Sequence, residues 1–159
     1  RIGELCALRW CDLDLEHKKL SVRGSFSTAS RKVTSPKTKT SIRTIDLPNR
    51  LVEELKQRYE RKKKLDGFND LYYVFGDIAV TWPGTFRYRF NNDLKNVDVK
   101  HITIHGFRHS HASYLLSNPM ISESLVAERL GHSIDMLRST YAHIYEKRRT
   151  ALVEYIEKL

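Results

Sequence analysis

A tyrosine near the end of the chain, Tyr141, follows His132 by nine residues in the stretch LGHSIDMLRSTYAH. A tyrosine in such a stretch is usually a packing residue with a polar tip. Its phenol is a weak nucleophile, because the ordinary pKa of tyrosine is about 10. A pocket rich in cations favours the phenolate and activates it for attack. Tyr141 is therefore either a packing residue or a nucleophile, and cations elsewhere in the chain decide between the two.

Side chains that could serve this phenol are spread through the chain. Arg1 opens the sequence with Glu4 three residues on, and His105 and Arg108 are separated by the same interval. Lys37 lies in a basic segment that contains no acidic residue. Guanidinium groups bind phosphate oxygens in a bidentate manner, and imidazoles transfer protons near neutral pH. Such a set suits phosphoryl transfer at a phosphodiester, whose transition state spreads negative charge over the equatorial oxygens.

Metal and nucleotide chemistry have weaker support in the sequence. His105 and His109 are four residues apart and could hold one metal ion, yet Arg108 between them would repel Zn²⁺. The motifs GxxxxGK[ST], GxGxxG and GxSxG do not occur, so neither a phosphate-binding loop nor a nucleophile elbow is predicted. We expect no metal site and no cofactor.

The composition favours a polyanionic partner. The 159 residues carry a formal net charge of +9, and 40% of them are hydrophobic, as in folded domains. Such a charge favours nucleic acid first and an anionic membrane second. No apolar run approaches the roughly 20 residues that a membrane span needs. The two cysteines, Cys6 and Cys11, are poorly placed for a disulfide, which favours the cytoplasm.

Hydrophobic spacing predicts the elements that must position these residues. A first helix is expected from Arg1 to about Trp10. Alternating apolar residues then predict a small antiparallel sheet of about three strands. Further helices are expected over 50–65, 81–97, 105–117, 122–131, 134–149 and 150–159. The predicted class is α+β, mainly helical with a small three-stranded antiparallel sheet near the N-terminus.

Two of these helices carry more specific expectations. Ser122 can cap the start of the helix over 122–131, and Gly131 can end it. The residues predicted to face the core on this helix and on the helix over 50–65 include Leu51, Leu55, Leu125 and Leu130.

Four segments, in this order, resemble the tyrosine recombinase (phage integrase) family: RIGELCALRW followed by DLDL, SPKTKTSIRTIDLP, HGFRHSHAS and LGHSIDMLRSTYAH. The resemblance covers essentially the whole chain and is strongest to integrases of conjugative transposons and Gram-positive temperate phages. It implies a catalytic domain that cuts and rejoins DNA at specific sites through a 3′-phosphotyrosyl link, without ATP or metal.

The resemblance also implies a nucleophile and its phosphate ligands. Tyr141 would attack the scissile phosphate, while Arg1 and Arg108 would bind the non-bridging oxygens. Glu4 would support Arg1. Tyr145, one helical turn later, is the alternative nucleophile, which the TYAH context disfavours.

Proton transfer is implied for the remaining site residues. Lys37 would protonate the leaving 5′-oxygen, and Lys39, two residues on, is the alternative acid. His105 would assist proton transfer, and His132 would hydrogen-bond the phosphate. His109 is interpreted as a packing residue or a neighbour of the DNA backbone.

Double-stranded DNA is the partner that the resemblance implies, with no nucleotide cofactor. Residues 1–159 are expected to be a single catalytic domain that lacks its N-terminal DNA-binding domain or domains and the start of the catalytic domain. The full-length protein would act as a homotetramer on DNA, associated with the bacterial nucleoid, and this chain alone would be a monomer. The residues predicted to contact the DNA backbone are Arg31, Lys32, Lys39 and Arg43.

Three alternative functions share part of this chemistry. A type IB topoisomerase would relax supercoils without site specificity, and a silent DNA-binding module would keep the fold without activity. A metal-dependent nuclease would lose its activity in EDTA. The C-terminal segment TALVEYIEKL could dock on a neighbouring protomer or pack on its own domain.

Overall fold

A computed structural model of the protein describes residues 1–35 and 41–158. The chain divides into two compact units, Arg1–His105 and Gly106–Leu159. The first unit holds strands and helices, and the second is helical. Among the helices of the described residues, none is long and apolar enough to cross a membrane.

The first unit contains an antiparallel sheet of three strands, in the order β1-β2-β5. In its register, Leu20 pairs with Leu13 on one side and with Ile45 on the other. This sheet and the surrounding helices confirm the predicted α+β class. Two further strands, β3 and β4, form a separate antiparallel ribbon. The strands are β1 (Leu13–Asp14), β2 (Lys19–Val22), β3 (Ser25–Ser27), β4 (Lys32–Thr34) and β5 (Arg43–Asp46).

The first helix is shorter than predicted. Helix α1 spans Ile2–Ala7, and a 3₁₀-helix follows at Trp10–Asp12. Between them the backbone of Leu8 is extended, and its carbonyl accepts a hydrogen bond from Val74 N–H at 2.9 Å. The prediction of one helix as far as Trp10 was wrong, because this backbone pairs with a distant segment instead of continuing the helical ladder.

Two longer helices complete the first unit, α2 (Asn49–Lys63) and α3 (Pro83–Leu94). On α2, Leu55 is buried as predicted, but Leu51 is exposed and Val52 is buried in its place. Val52 and Leu55 are three residues apart and so lie on one face of the helix. The apolar stripe of α2 therefore runs through Val52.

The second unit packs its helices around an apolar core. Most of α4 (Ile104–Ser117) belongs to it, together with α5 (Glu123–Leu130), α6 (Ile134–Thr140) and α7 (Ala142–Ile156). The buried members of its core are Ala112, Leu116, Val126, Ala127, Leu130, Leu137, Tyr141 and Ile144.

Helix α5 begins and ends as predicted. The Ser122 hydroxyl accepts a hydrogen bond from Leu125 N–H at 3.4 Å, and Gly131 ends the helix with a left-handed backbone, φ 64°. Leu130 is buried as predicted, but Leu125 is exposed and Val126 occupies the core. The prediction for Leu125 was wrong, because the buried face of α5 passes through Val126, one residue later than predicted.

The helix predicted over 134–149 is interrupted at Tyr141. This residue has φ −114° and ψ 28°, and it separates α6 from α7. Helix α7 then runs without a break through the boundary predicted at Thr150. Tyr141 therefore lies at a junction between two helices, not within one.

Candidate active site

A buried carboxylate in the first unit joins two arginines that are far apart in the sequence. Helix α1 places Glu4 one turn from Arg1, whose Nη1 donates to Glu4 Oε1 at 2.8 Å. Arg43, at the start of β5, donates to both carboxylate oxygens, at 2.9 Å and 3.2 Å. The side chains of Glu4 and Arg43 are only 8% and 6% exposed. Glu4 thus forms a buried, charge-assisted bidentate pair with Arg43 and also holds Arg1.

The surrounding cations keep Glu4 ionised. Burial raises the pKa of the Glu4 carboxyl, but the hydrogen bonds and charges of Arg43 and Arg1 lower it well below its ordinary value of 4.5. Because this pKa is lower in the folded chain than in the unfolded chain, the pairing stabilises the fold above about pH 4.5. That stabilisation is lost as the pH falls below about 4.5.

We expect Glu4→Gln to lower the free energy of unfolding by about 3 kcal/mol at pH 7, since the change leaves the Arg43 guanidinium buried without its counter-charge. The difference from the unmodified protein should narrow as the pH drops below about 4.5. Denaturant unfolding over a pH series measures both effects. Glu123→Gln is the matched control, because its partner Arg138 is largely exposed and the loss should stay below about 1 kcal/mol. A deficit for Glu4→Gln that does not change with pH would contradict this account.

In the second unit, Arg108 lies against His132. Arg108 Nη2 donates to the carbonyl oxygen of Leu130 and is 2.9 Å from His132 Nε2. Since a guanidinium has donors and no acceptor, Nε2 of His132 accepts this bond. The left-handed backbone of Gly131 makes the contact possible, because it turns the chain back from the end of α5, and His132 N–H then donates to the carbonyl of Ala127 at 2.9 Å.

Tyr141 is buried in the core of the second unit, with 2% of its surface exposed. Its hydroxyl oxygen is 3.0 Å from His109 Nδ1, and the two ring centroids are 5.7 Å apart. Burial raises the pKa of the Tyr141 phenol, and the charge of Arg108 opposes that rise. The hydroxyl of the candidate nucleophile therefore has a histidine partner and a nearby positive charge.

His109 is the residue that sequence reasoning missed. The sequence predicts a packing residue or a neighbour of the DNA backbone at this position, because nothing in HGFRHSHAS connects His109, one of its three histidines, with Tyr141. Another of them, His111, contacts Arg129, whose Nε is 3.2 Å from His111 Nε2. The contact of His109 with Tyr141 joins residues 32 positions apart, and pairs at such separations follow only from the packing of α4 against the α6–α7 junction.

Tyr145, the alternative nucleophile, lies one turn further along α7. It is partly buried against the same core cluster. Burial raises the pKa of the Tyr145 phenol, and the negative charge of Glu123 raises it further. The charges of Arg138 and Arg148 oppose that rise.

The predicted DNA-contacting residues differ in their surroundings. Arg31 and Lys32 are exposed at the turn and at the second strand of the β3–β4 ribbon, and the Arg31 guanidinium lies 5.9 Å from the centre of the Trp82 ring. Arg43 differs from the prediction, because its side chain is buried and bidentate on Glu4. We reassign Arg43 to the support of Glu4. Lys39 lies outside the described residues.

The remaining candidates are the lysine and the first histidine. Lys37 also lies outside the described residues, so its predicted role rests on the family resemblance alone. His105 is exposed in the first turn of α4, three residues before Arg108. Within residues 1–35 and 41–158, no group of three or more His, Cys, Asp or Glu side chains is placed to hold a metal ion.

Comparison with known proteins identifies the family. A family model described as the phage integrase family matches residues 1–148. The chain belongs to the phage integrase family. This membership confirms the resemblance that the four sequence segments indicated.

Individual relatives extend the comparison over the chain. A tyrosine recombinase XerC-like protein of Caldanaerobacter subterraneus is 31% identical over 181 residues, which cover 100% of this chain and 46% of the relative. The ICEBs1 integrase of Bacillus subtilis is 29% identical, and the alignment covers 100% of this chain and 45% of that integrase. The structure of the Tn1549 transposon integrase in complex with circular intermediate DNA matches 98% of this chain and 55% of its own, with a TM-score of 0.68 and 24% identity. The chain thus has the fold of that integrase and spans less than half the length of these curated relatives.

Proposed function

We propose that this chain is the catalytic part of a site-specific DNA strand transferase, an integrase or recombinase in which Tyr141 is the nucleophile. The observation that carries this proposal is the pair of contacts within the second unit, between Tyr141 and His109 and between Arg108 and His132. The names of the relatives, a tyrosine recombinase and an integrase, support the same activity.

In the proposed cleavage step, Tyr141 Oη bonds to the phosphorus of the scissile phosphodiester while the bond from phosphorus to the 5′-oxygen breaks. The phenol proton passes to a base, with His105 assisting proton transfer. The departing 5′-oxygen takes a proton from Lys37. The phosphotyrosyl ester conserves the free energy of the phosphodiester, so a 5′-hydroxyl can attack it and rejoin the strand without ATP or a metal ion.

In this proposal Arg1, Arg108 and His132 stabilise the negative charge of the transition state. The transition state spreads negative charge over the non-bridging oxygens of the phosphate, and preorganised donors aimed at these oxygens lower its energy. Arg108 and His132 already lie side by side; for both to donate to one phosphate, a phosphate oxygen must replace His132 Nε2 as the acceptor of Arg108. Arg1, held by the buried carboxylate of Glu4, is the second guanidinium in this proposal.

We propose double-stranded DNA as the partner, with Arg31 and Lys32 contacting its backbone. The Tn1549 integrase is described in complex with DNA, which supports this choice. Affinity that rests on phosphate contacts falls steeply with salt. We further propose that the full-length protein forms a homotetramer on DNA and acts in the bacterial cytoplasm at the nucleoid.

A trapped covalent intermediate tests the proposal. Host DNA is sheared, incubated with the native protein and denatured, and the fragments that stay attached identify the cleavage site. A nicked duplex of that site should then give a protein–DNA adduct that peptide mapping assigns to Tyr141, and EDTA should not reduce it. Three results would refute the proposal: no adduct, an adduct on another residue, or activity that EDTA abolishes. Relaxation of plasmids without any site preference would instead indicate a topoisomerase.

Replacing Lys37 with alanine should slow cleavage of ordinary DNA by about 100-fold or more, since the 5′-oxygen loses its proton donor. In a duplex with a 5′-bridging phosphorothiolate, sulfur replaces the 5′-oxygen and leaves as a thiolate that needs no proton. This duplex should therefore restore cleavage by the Lys37→Ala variant. Gel-resolved single-turnover rates on both duplexes measure the rescue. Lys39→Ala is the matched control and should show no selective rescue; rescue of Lys39→Ala in place of Lys37→Ala would exchange the two roles.

A further inference from the structure

The contact between His109 and Tyr141 joins an exposed ring to a buried hydroxyl. Tyr141 is 2% exposed, whereas His109 lies on the exposed side of α4. Only 3.0 Å separate His109 Nδ1 from Tyr141 Oη. The imidazole therefore connects the phenol to the solvent.

Attack by a tyrosine requires such a connection. The phenol must lose its proton as the oxygen–phosphorus bond forms, and burial opposes a free phenolate. The charge of Arg108 partly offsets this opposition, but a positive charge cannot accept a proton. An imidazole can, because its ordinary pKa of about 6.5 lies close to neutral pH.

Building on the proposed role of Tyr141 as the nucleophile, we propose that His109 is a further catalytic residue, the general base of the cleavage step. The neutral ring carries its proton on Nε2 and accepts the hydrogen bond of the phenol at Nδ1. As Tyr141 Oη bonds to phosphorus, the phenol proton moves to Nδ1 and the electron pair of the O–H bond enters the new oxygen–phosphorus bond. The bond to the 5′-oxygen breaks, and that oxygen is protonated separately.

The same atom serves the reverse step. When a 5′-hydroxyl attacks the phosphotyrosyl ester, the oxygen–phosphorus bond breaks and Tyr141 Oη leaves with its electron pair. The imidazolium of His109 returns the proton from Nδ1 to this oxygen. Protons therefore balance over cleavage and rejoining, without any outside reactant.

The decisive substitution is His109→Asn. The asparagine side chain places a hydrogen-bonding atom close to the position of Nδ1, so it can still hold the phenol, but it is not a base at neutral pH. With the native protein and the nicked duplex recovered from host DNA, we expect adduct formation to slow by about 100-fold or more. A rate equal to that of the unmodified protein would show that the ring only positions Tyr141 and would overturn the proposal.

Chemical rescue provides a second measurement. In His109→Gly the exposed ring is replaced by a space that is open to solvent, and imidazole in the buffer should restore adduct formation, more strongly for more basic imidazoles. Absence of rescue in a variant that melts like the unmodified protein would count against a general base. His17→Ala is the control, because that exposed ring pairs with Asp14; its rate should be normal and should not respond to imidazole.

The experiment separates this proposal from the one on which it rests. No adduct with the unmodified protein would refute the function assigned to Tyr141. If Tyr141→Phe abolishes the adduct but His109→Asn forms it at the normal rate, Tyr141 remains the nucleophile. The role of His109 as general base would then be refuted.

Discussion

Replacing Tyr141 with phenylalanine should abolish covalent attachment to DNA and leave the fold intact. The ring fills the core of the second unit, and phenylalanine fills the same space. The lost hydroxyl removes one hydrogen bond, to His109, which corresponds to about 1 kcal/mol of stability. The oxygen that would bond to phosphorus is absent, so adduct on the nicked duplex should disappear completely from denaturing gels.

Tyr145→Phe provides the matched control for this loss. Tyr145 is a tyrosine of the same unit, one turn further along α7, and its ring packs partly against the same cluster. Adduct should form at a normal rate in this variant, and melting temperatures should show both variants to be folded. The assignment of the nucleophile fails when adduct survives in Tyr141→Phe or vanishes in Tyr145→Phe.

Arg108→Lys should lower the cleavage rate by about 100- to 1,000-fold, the usual cost of losing one preorganised donor at a developing charge. The guanidinium reaches the Leu130 carbonyl and His132 Nε2 from one nitrogen. Its planar fork of donors matches the geometry of a phosphate, whereas a lysine ammonium is a single point charge. Single-turnover rates at saturating protein would show the loss in the chemical step rather than in DNA binding.

Arg138→Lys is the control for a general effect of losing a guanidinium. Arg138 belongs to the same unit, but its side chain is largely exposed and donates to Glu123 at 2.9 Å. Its cleavage rate should stay within about twofold, since exposed pairs contribute little. Equal losses in Arg108→Lys and Arg138→Lys would mean that the second unit is merely destabilised by either change.

Local signals in the sequence were sufficient for the α+β class and for the limits of α5. The Ser122 hydroxyl can cap a helix, and Gly131, which has no side chain, can adopt the left-handed backbone that ends one. The start and end of α5 could therefore be predicted without tertiary information. The rotation of the helix could not be. Leucine and valine are both apolar, and only packing decides that Val126 is buried while Leu125 is exposed.

Long-range contacts account for the other differences. The end of α1 depends on pairing between Leu8 and Val74, which hydrophobic spacing near the N-terminus does not reveal. Arg43 was predicted as a DNA contact from its charge, yet a carboxylate 39 positions earlier binds it in the interior. The candidate nucleophile was found through its place in a motif, whereas its contact with His109 became visible only in the folded chain.

The left-handed backbone at Gly131 determines both where α5 ends and where His132 lies. It ends α5, and it also places His132 against Arg108. Any side chain at this position would have the cost of a left-handed conformation, about 1–2 kcal/mol, directly before His132, the proposed phosphate ligand. A screen for thermostable variants and a screen for active variants should therefore converge on glycine here, because helix termination and ligand placement depend on the same pair of dihedral angles.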